Sequence, residues 1–311
     1  MLQQAFKKFI QILMLFSTLM ILQACNHEED EETEETDPAV SITDSYHVKY
    51  ASDMTMISDG KSTFTIEISD VNTGSPLPGL NVNLMPMMDM VAGHMHDAPV
   101  GTVIDNGDGS YEMTVYYLMP SEMMDGTVMG EWELKIMIGG MGGETATFHP
   151  DVMMSMGDTT RVGLKGQSDM IMGMMAAENR RYFVFKNQLM GSTDNHSFSF
   201  FLAARESMMS HVAVYENVTL NQGDATYEYL VSPIVVEVST DATSWTAAMS
   251  SDDGNYMVSG LTGLTDNVQG EIYVRLTIQG EQKTTNGLAP AGDGTNDYAV
   301  FTVTPGMTMS M

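Results

Sequence analysis

Residues 130–140 read GEWELKIMIGG, and the spacing of their apolar side chains decides the fold. Trp132, Leu134, Ile136 and Ile138 occupy every second position, with Glu131, Glu133, Lys135 and Met137 between them. In an extended chain a period of two turns one set toward a core and the other toward solvent. The same alternation recurs in STFTIEISD from Ser62, GSYEMTVYYL from Gly109 and GEIYVRLTIQG from Gly270. Gly, Asn and Asp clusters punctuate these runs, as turns between antiparallel strands require. No long segment has a convincing helical period; DMIMGMMAAENRR from Asp169 comes nearest. The expected class is all-β, with antiparallel β-sandwiches.

The runs also repeat in order. SDMTM from Ser52 is echoed by SDMIM from Ser168, and DGSYEM from Asp108 by DGNYMV from Asp253. GEWELKIMIGG is echoed by GEIYVRLTIQG, and HPDVMMSM, ending at Met156, by TPGMTMSM, ending at Met311. Four ordered matches predict tandem copies of one fold, at 39–156 and 157–311, each long enough for its own core.

Upstream of the first copy, Lys7 and Lys8 precede an apolar run from Phe9 to Leu22 that closes on LQAC at Cys25. A basic start and a short apolar stretch describe an export signal over 1–24. LQAC resembles the lipobox of bacterial lipoproteins, which implies that Cys25 is lipidated; an ordinary signal peptide or an uncleaved anchor is the alternative. Eight of the ten positions from Glu28 to Asp37 are acidic, so 25–38 is expected to be an extended, solvated tether. Cys25 is the single cysteine, which excludes an intramolecular disulfide. If it is acylated, thiol chemistry is excluded too. A net charge of −28 excludes charge-driven binding to nucleic acid. The expected setting is the cell envelope, on a membrane held through the N-terminal lipid.

The chain carries 32 methionines. Methionine is a poor strand former beside β-branched and aromatic residues, so a core role alone does not explain the choice. In the first copy the methionines gather with Pro, Gly, Asp and His, in MPMMDMVAGHMH (85–96), MPSEMMDGTVMG (119–130) and MIGGMGG (137–143), which read as loops. A neutral thioether suits Cu(I), and imidazole suits both copper states. The bland reading is that Met fills irregular gaps or lines an adaptable contact surface. The candidate metal ligands are Met85, Met87, Met88, Met90, His94, Met95, His96, Met119, Met123 and Met124. If HMH is extended, His94 and His96 share a face and Met95 points away. His149, His196 and His211 read as ordinary hydrogen-bonded histidines.

The segment Ser75–Ile136 resembles the YtkA-like and FixH-like periplasmic domains. The likeness rests on Pro76, the 85–96 segment, the turn Asp108-Gly109-Ser110-Tyr111, Met119 and Gly130-Glu131-Trp132. It implies an immunoglobulin-like sandwich associated with copper handling. The second copy departs from the pattern. TDATSWTAAMSS stands where the Met/His segment would fall, and Ile272 replaces Trp132. That copy is either a scaffold or a donor of other groups, such as Met170–Met175 or Met208, Met209 and His211.

The expected function is non-catalytic: copper, Cu(I) above all, captured, buffered or passed to an envelope acceptor protein. No Gly-rich phosphate loop, HExxH pattern or nucleophile with its base is legible. The rival is an adhesion or scaffold module whose methionines form a protein-contact surface.

Overall fold

The computed structural model describes residues 37–52, 54, 57–140, 142–207 and 209–306. The signal segment, Cys25 and most of the tether lie outside them, as do Met208 and residues 307–311. Residues from Pro38 on form one unit, and its described residues lie in strands and connections, with a 3-10 position at Met54.

The first half carries β1 (Val40–Ile42), β2 (Tyr46–Tyr50), β3 (Gly60–Asp70), β4 (Val82–Met90), β5 (Met95–Asp97), β6 (Ile104–Asp105), β7 (Ser110–Tyr117), β8 (Gly130–Ile138) and β9 (Glu144–Phe148). They form two antiparallel sheets, ordered β1-β2-β3-β7-β6 and β5-β4-β8-β9. In the second half, β10 (Arg161–Met172), β11 (Ala177–Ser192), β12 (Asn195–Ser207) and β13 (Ser210–Ala213) are followed by the short pair β14 (Thr219–Leu220) and β15 (Tyr229–Leu230). Next come β16 (Ile234–Ser239), β17 (Thr246–Ala247), β18 (Met249–Ser250), β19 (Asn255–Leu261), β20 (Gly270–Ile278), β21 (Glu281–Lys283) and β22 (Ala299–Val303). Their main sheets run β10-β11-β12-β19-β18 and β17-β16-β20-β21, with β13 added to β12 and β22 to β20.

The two strand orders are the same. From β2 and from β11, each half reads as strands A-B-E-D facing C′-C-F-G, the arrangement of an immunoglobulin-like sandwich. Among the described residues, no sheet draws strands from both sides of Met156. GEWELKIMI and GEIYVRLTI occupy equivalent strands, β8 and β20, and pair their neighbours in matching register, Val82↔Ile138 and Ile234↔Ile278. Trp132, Leu134, Ile136 and Ile138 are buried, as are Ile272, Val274, Leu276 and Ile278. Each such side chain contributes roughly 1.5–3 kcal/mol. The DG-Y matches also coincide: Gly109 and Gly254 both have φ +90°, and a Cβ there would lie 2.6 Å from Pro76 Cβ or 2.8 Å from Phe201 Cε2. Only glycine fits both the backbone and the space.

Each half has its own core, one around Trp132, Tyr111 and Ile66, the other around Phe198, Phe200 and Phe301. A third, small cluster joins the halves. Tyr116 and Leu118 of the first pack on Phe185, Phe201 and Ala203 of the second, with the Tyr116 and Phe201 rings stacked at 4.1 Å.

Two expectations need correction. Residues 85–90 are strand, not loop: β4 pairs with β8 along its whole length and with β5 from Met87 to Asp89. Only Val91–His94 turn, closed by Met90 O accepting from Gly93 N–H. The strand survives Pro86 because β5 does not yet flank it there, leaving one side open as at a sheet edge. Likewise DMIMGMMAAENRR is no helix; it is the hairpin from β10 into β11, with Met172 paired to Ala177.

Candidate functional site

A cleft of about 660 Å³ lies where the halves meet. The first half contributes Met90 at the end of β4, His94 and His96 from the β4–β5 hairpin, and Leu118 and Met119 just past β7. Met174 and Met175 from the β10–β11 hairpin face them, with Phe183 of β11 and His211 of β13.

Asp97 organises the two buried imidazoles. Its backbone oxygen accepts from His96 Nδ1 at 2.8 Å. Its carboxylate accepts from His211 Nδ1 at 2.5 Å and from the His211 backbone N–H at 2.9 Å. A carbonyl and a carboxylate can only accept, so each imidazole presents Nδ1–H to Asp97 and turns Nε2 away from it. Both Nε2 atoms are buried and have no hydrogen-bond partner. Burial pushes the His96 pKa below the ordinary imidazole range; repulsion from His211 and His94 adds to this, against the pull of Asp97. His96 is thus held neutral. It stands edge-on to Trp132 at 5.3 Å, and Trp132 Nε1–H donates to Met119 O at 3.1 Å, which ties the tryptophan to the cleft wall. Phe183 braces the His211 ring at 5.4 Å.

A buried imidazole whose Nδ1–H is fixed by an acceptor, with its other nitrogen unpartnered, is the arrangement of a metal-ligating histidine and its supporting shell. Two of them share a cleft with four methionines. Among the described residues no three His, Cys, Asp or Glu side chains converge as a metal-holding group. The donor set here is two imidazoles with thioethers, which fits a soft ion of low coordination number better than Zn(II).

Of the residues expected from sequence, Met90, His94, His96 and Met119 line the cleft. Met95 points away and is exposed, as the period of two requires. Met88 is 0% exposed and packs in the first core, paired with Trp132 and His96 on its flanking strands. Met85 and Met87 fall on the alternate face of β4, the first 36% exposed and the second 6%. Met123 and Met124 are exposed on the connection between β7 and β8 and are not among the lining residues. The sequence reads His211 as an ordinary histidine or, with Met208 and Met209, as an alternative donor of the second copy, and in neither case joins it to the 85–96 cluster. Its partner Asp97 is 114 residues away, and only the pairing of the halves brings them together. Met174 and Met175 belong to the Met170–Met175 run read as an alternative donor group of the second copy, and the cleft sets them opposite the first copy's histidines.

No protein-family model matches the chain, and no curated protein matches it. Among solved structures, the chain is similar to the crystal structure of invasin, a bacterial integrin-binding protein. Identity is 11% over 75% of this chain, with a TM-score of 0.24. The match spans 56% of that protein, and a likeness at this level carries no argument about function.

Proposed function

We propose that this chain is an envelope lipoprotein that binds copper, Cu(I) above all, in the cleft between its two sandwiches, for capture, buffering or delivery to an envelope acceptor. The observation that carries the reading is the pair of buried, unpartnered Nε2 atoms of His96 and His211, both oriented by Asp97. Met90 and Met119 are the thioethers that the first half brings to the cleft, with Met174 and Met175 on the opposite wall. Bound there, the metal would be held by neutral imidazole and thioether donors, which form no disulfides. The YtkA-like resemblance of Ser75–Ile136 and the lipobox at Cys25 point the same way. A Cu(I) competition titration against a chromophoric chelator tests it on the mature chain, since a first-half fragment lacks His211. Retention should exceed that of a weak chelator and fall at least about tenfold in His96→Ala/His211→Ala. Equal retention by both proteins would sink the proposal.

A contact-surface reading draws on the exposed Met123, Met124, Met153, Met154 and Met175, the last 98% exposed. Met→Leu changes nearly conserve volume, so at these positions they should preserve a protein contact. At Met90 and Met119 the same change should weaken metal retention. The two readings therefore separate on one set of variants.

A further inference from the structure

The cleft has a second chemistry opposite the histidines. Of only 13 Lys and Arg in a chain of net charge −28, three line this one space: Arg161, Arg181 and Arg205. Glu178 is the single carboxylate among the lining residues, and it is committed to Arg205 at 3.0 Å. Among the described residues Arg161 and Arg181 form no ion pair, and Arg161 Nε is buried without an acceptor. Asp59 acts on Arg161 only from beyond ion-pair reach, while burial pushes the guanidinium down. Burial lowers the Arg205 guanidinium, Glu178 holds it up and Arg181 repels it, so the one acid of the lining is matched by one of its three arginines. A buried charged donor left unmatched is costly, and an anionic acceptor would satisfy both its hydrogen bond and its charge.

We infer that the arginine side of the cleft is a binding site for a small carboxylate anion. A planar guanidinium fork matches a planar carboxylate through paired N–H···O bonds. The walls between the arginines and the histidines, Leu118, Phe183 and the methionine side chains, are apolar. They favour a ligand with a carbon skeleton over a strongly hydrated phosphate. The anion site rests on Arg161 and Arg181 and does not depend on the copper reading. If both hold, the carboxylate would sit in the same cleft as the metal.

Titration calorimetry with malonate on the metal-free mature chain decides it, with phosphate as the competing chemistry. Malonate should bind the wild type at least about tenfold more tightly than phosphate does. Arg181→Gln, at an exposed position, and Arg161→Lys, which keeps the charge but loses the fork, should each weaken malonate by a similar factor. Circular dichroism identifies variants that stay folded. His96→Ala, which leaves the Asp97–His211 bonds in place, should bind malonate as the wild type does, so loss of metal binding and loss of anion binding are read separately. No heat from malonate, tighter binding of phosphate, or unchanged malonate affinity in both folded arginine variants would each overturn the inference.

Discussion

Asp97 acts through hydrogen bonds to two histidines from different halves, and its chemistry sets what both can do. A carboxylate only accepts, so it fixes the proton of His211 on Nδ1; an amide can donate instead and favours the opposite tautomer. Asp97→Asn should therefore leave the fold intact yet lower Cu(I) affinity about 10–100-fold, measured by chelator competition. The buried acid–base group of the second sandwich permits a different test. Burial alone would raise the Glu281 carboxyl, but bonds from Lys283, Ser168 and the Gln167 N–H outweigh it and bring it to about 2. A carboxyl whose folded value lies below its unfolded value of 4.5 stabilises the fold fully above about pH 4.5. That contribution is lost as pH falls toward 2. Glu281→Gln should flatten the acid limb of stability over this range in urea titrations. At neutral pH it should cost about 2–3 kcal/mol, less than stripping a buried pair outright, because Asp169 and Tyr229 still face Lys283. At this scale the sequence showed the types of ligand but only part of the set. His94 and His96 were legible as neighbours two apart; His211 became a partner only through a contact across 114 residues.

Strand β4 shows where element-level reading succeeded and where it failed. Period two made β3, β7, β8 and β20 legible because their inward positions are Val, Ile, Leu, Phe, Tyr, Trp or Met and their outward ones mostly charged or hydroxylic. In β4 the same period runs through Leu84, Pro86 and Met88, with Met85 and Met87 between them, so both faces look alike and the contrast vanishes. Proline in a run also argues against a strand unless one flank is open, and openness is a property of the sheet, not of the segment. The two faces differ sharply in consequence. Met88→Ala should cost about 2–5 kcal/mol, the range for emptying a core site, and Met88→Leu less than about 1.5. Met85→Ala, on the partly exposed face, should stay within about 0.5 kcal/mol. Chemical denaturation of the three variants checks this, and near-equal losses at 85 and 88 would contradict the burial of Met88.

Across the whole molecule, one strand order recurs in the two halves, and the contact between them is the part that does not recur. The DG-Y turn and the GEWELKIMI/GEIYVRLTI strands fall on equivalent places in the two sandwiches, so these two of the four echoes mark the shared strand order. SDMTM lies between β2 and β3 whereas SDMIM lies at the end of β10, so the SDM pair does not. What no echo could reveal is the contact between the copies, because it uses residues each copy does not share with the other: Tyr116 and Leu118 on one side, Phe185, Phe201 and Ala203 on the other. This cluster is small beside the two cores, yet it and the Asp97–His211 bonds set how the cleft walls face each other. Tyr116 is the position to test, since its ring stacks on Phe201 at 4.1 Å and tilts against Phe185 at 5.2 Å. Tyr116→Ala should cost about 3–5 kcal/mol locally, as for other buried aromatics, while each sandwich keeps its own core. Thermal unfolding should then resolve two transitions where the wild type shows closer coupling, and far-UV circular dichroism at room temperature should be unchanged. Because the two imidazoles come from opposite halves, the same substitution should lower Cu(I) affinity at least about tenfold without touching a ligand. Metal added in excess should partly restore a single transition, since an ion bound to both walls stabilises the joined state by mass action.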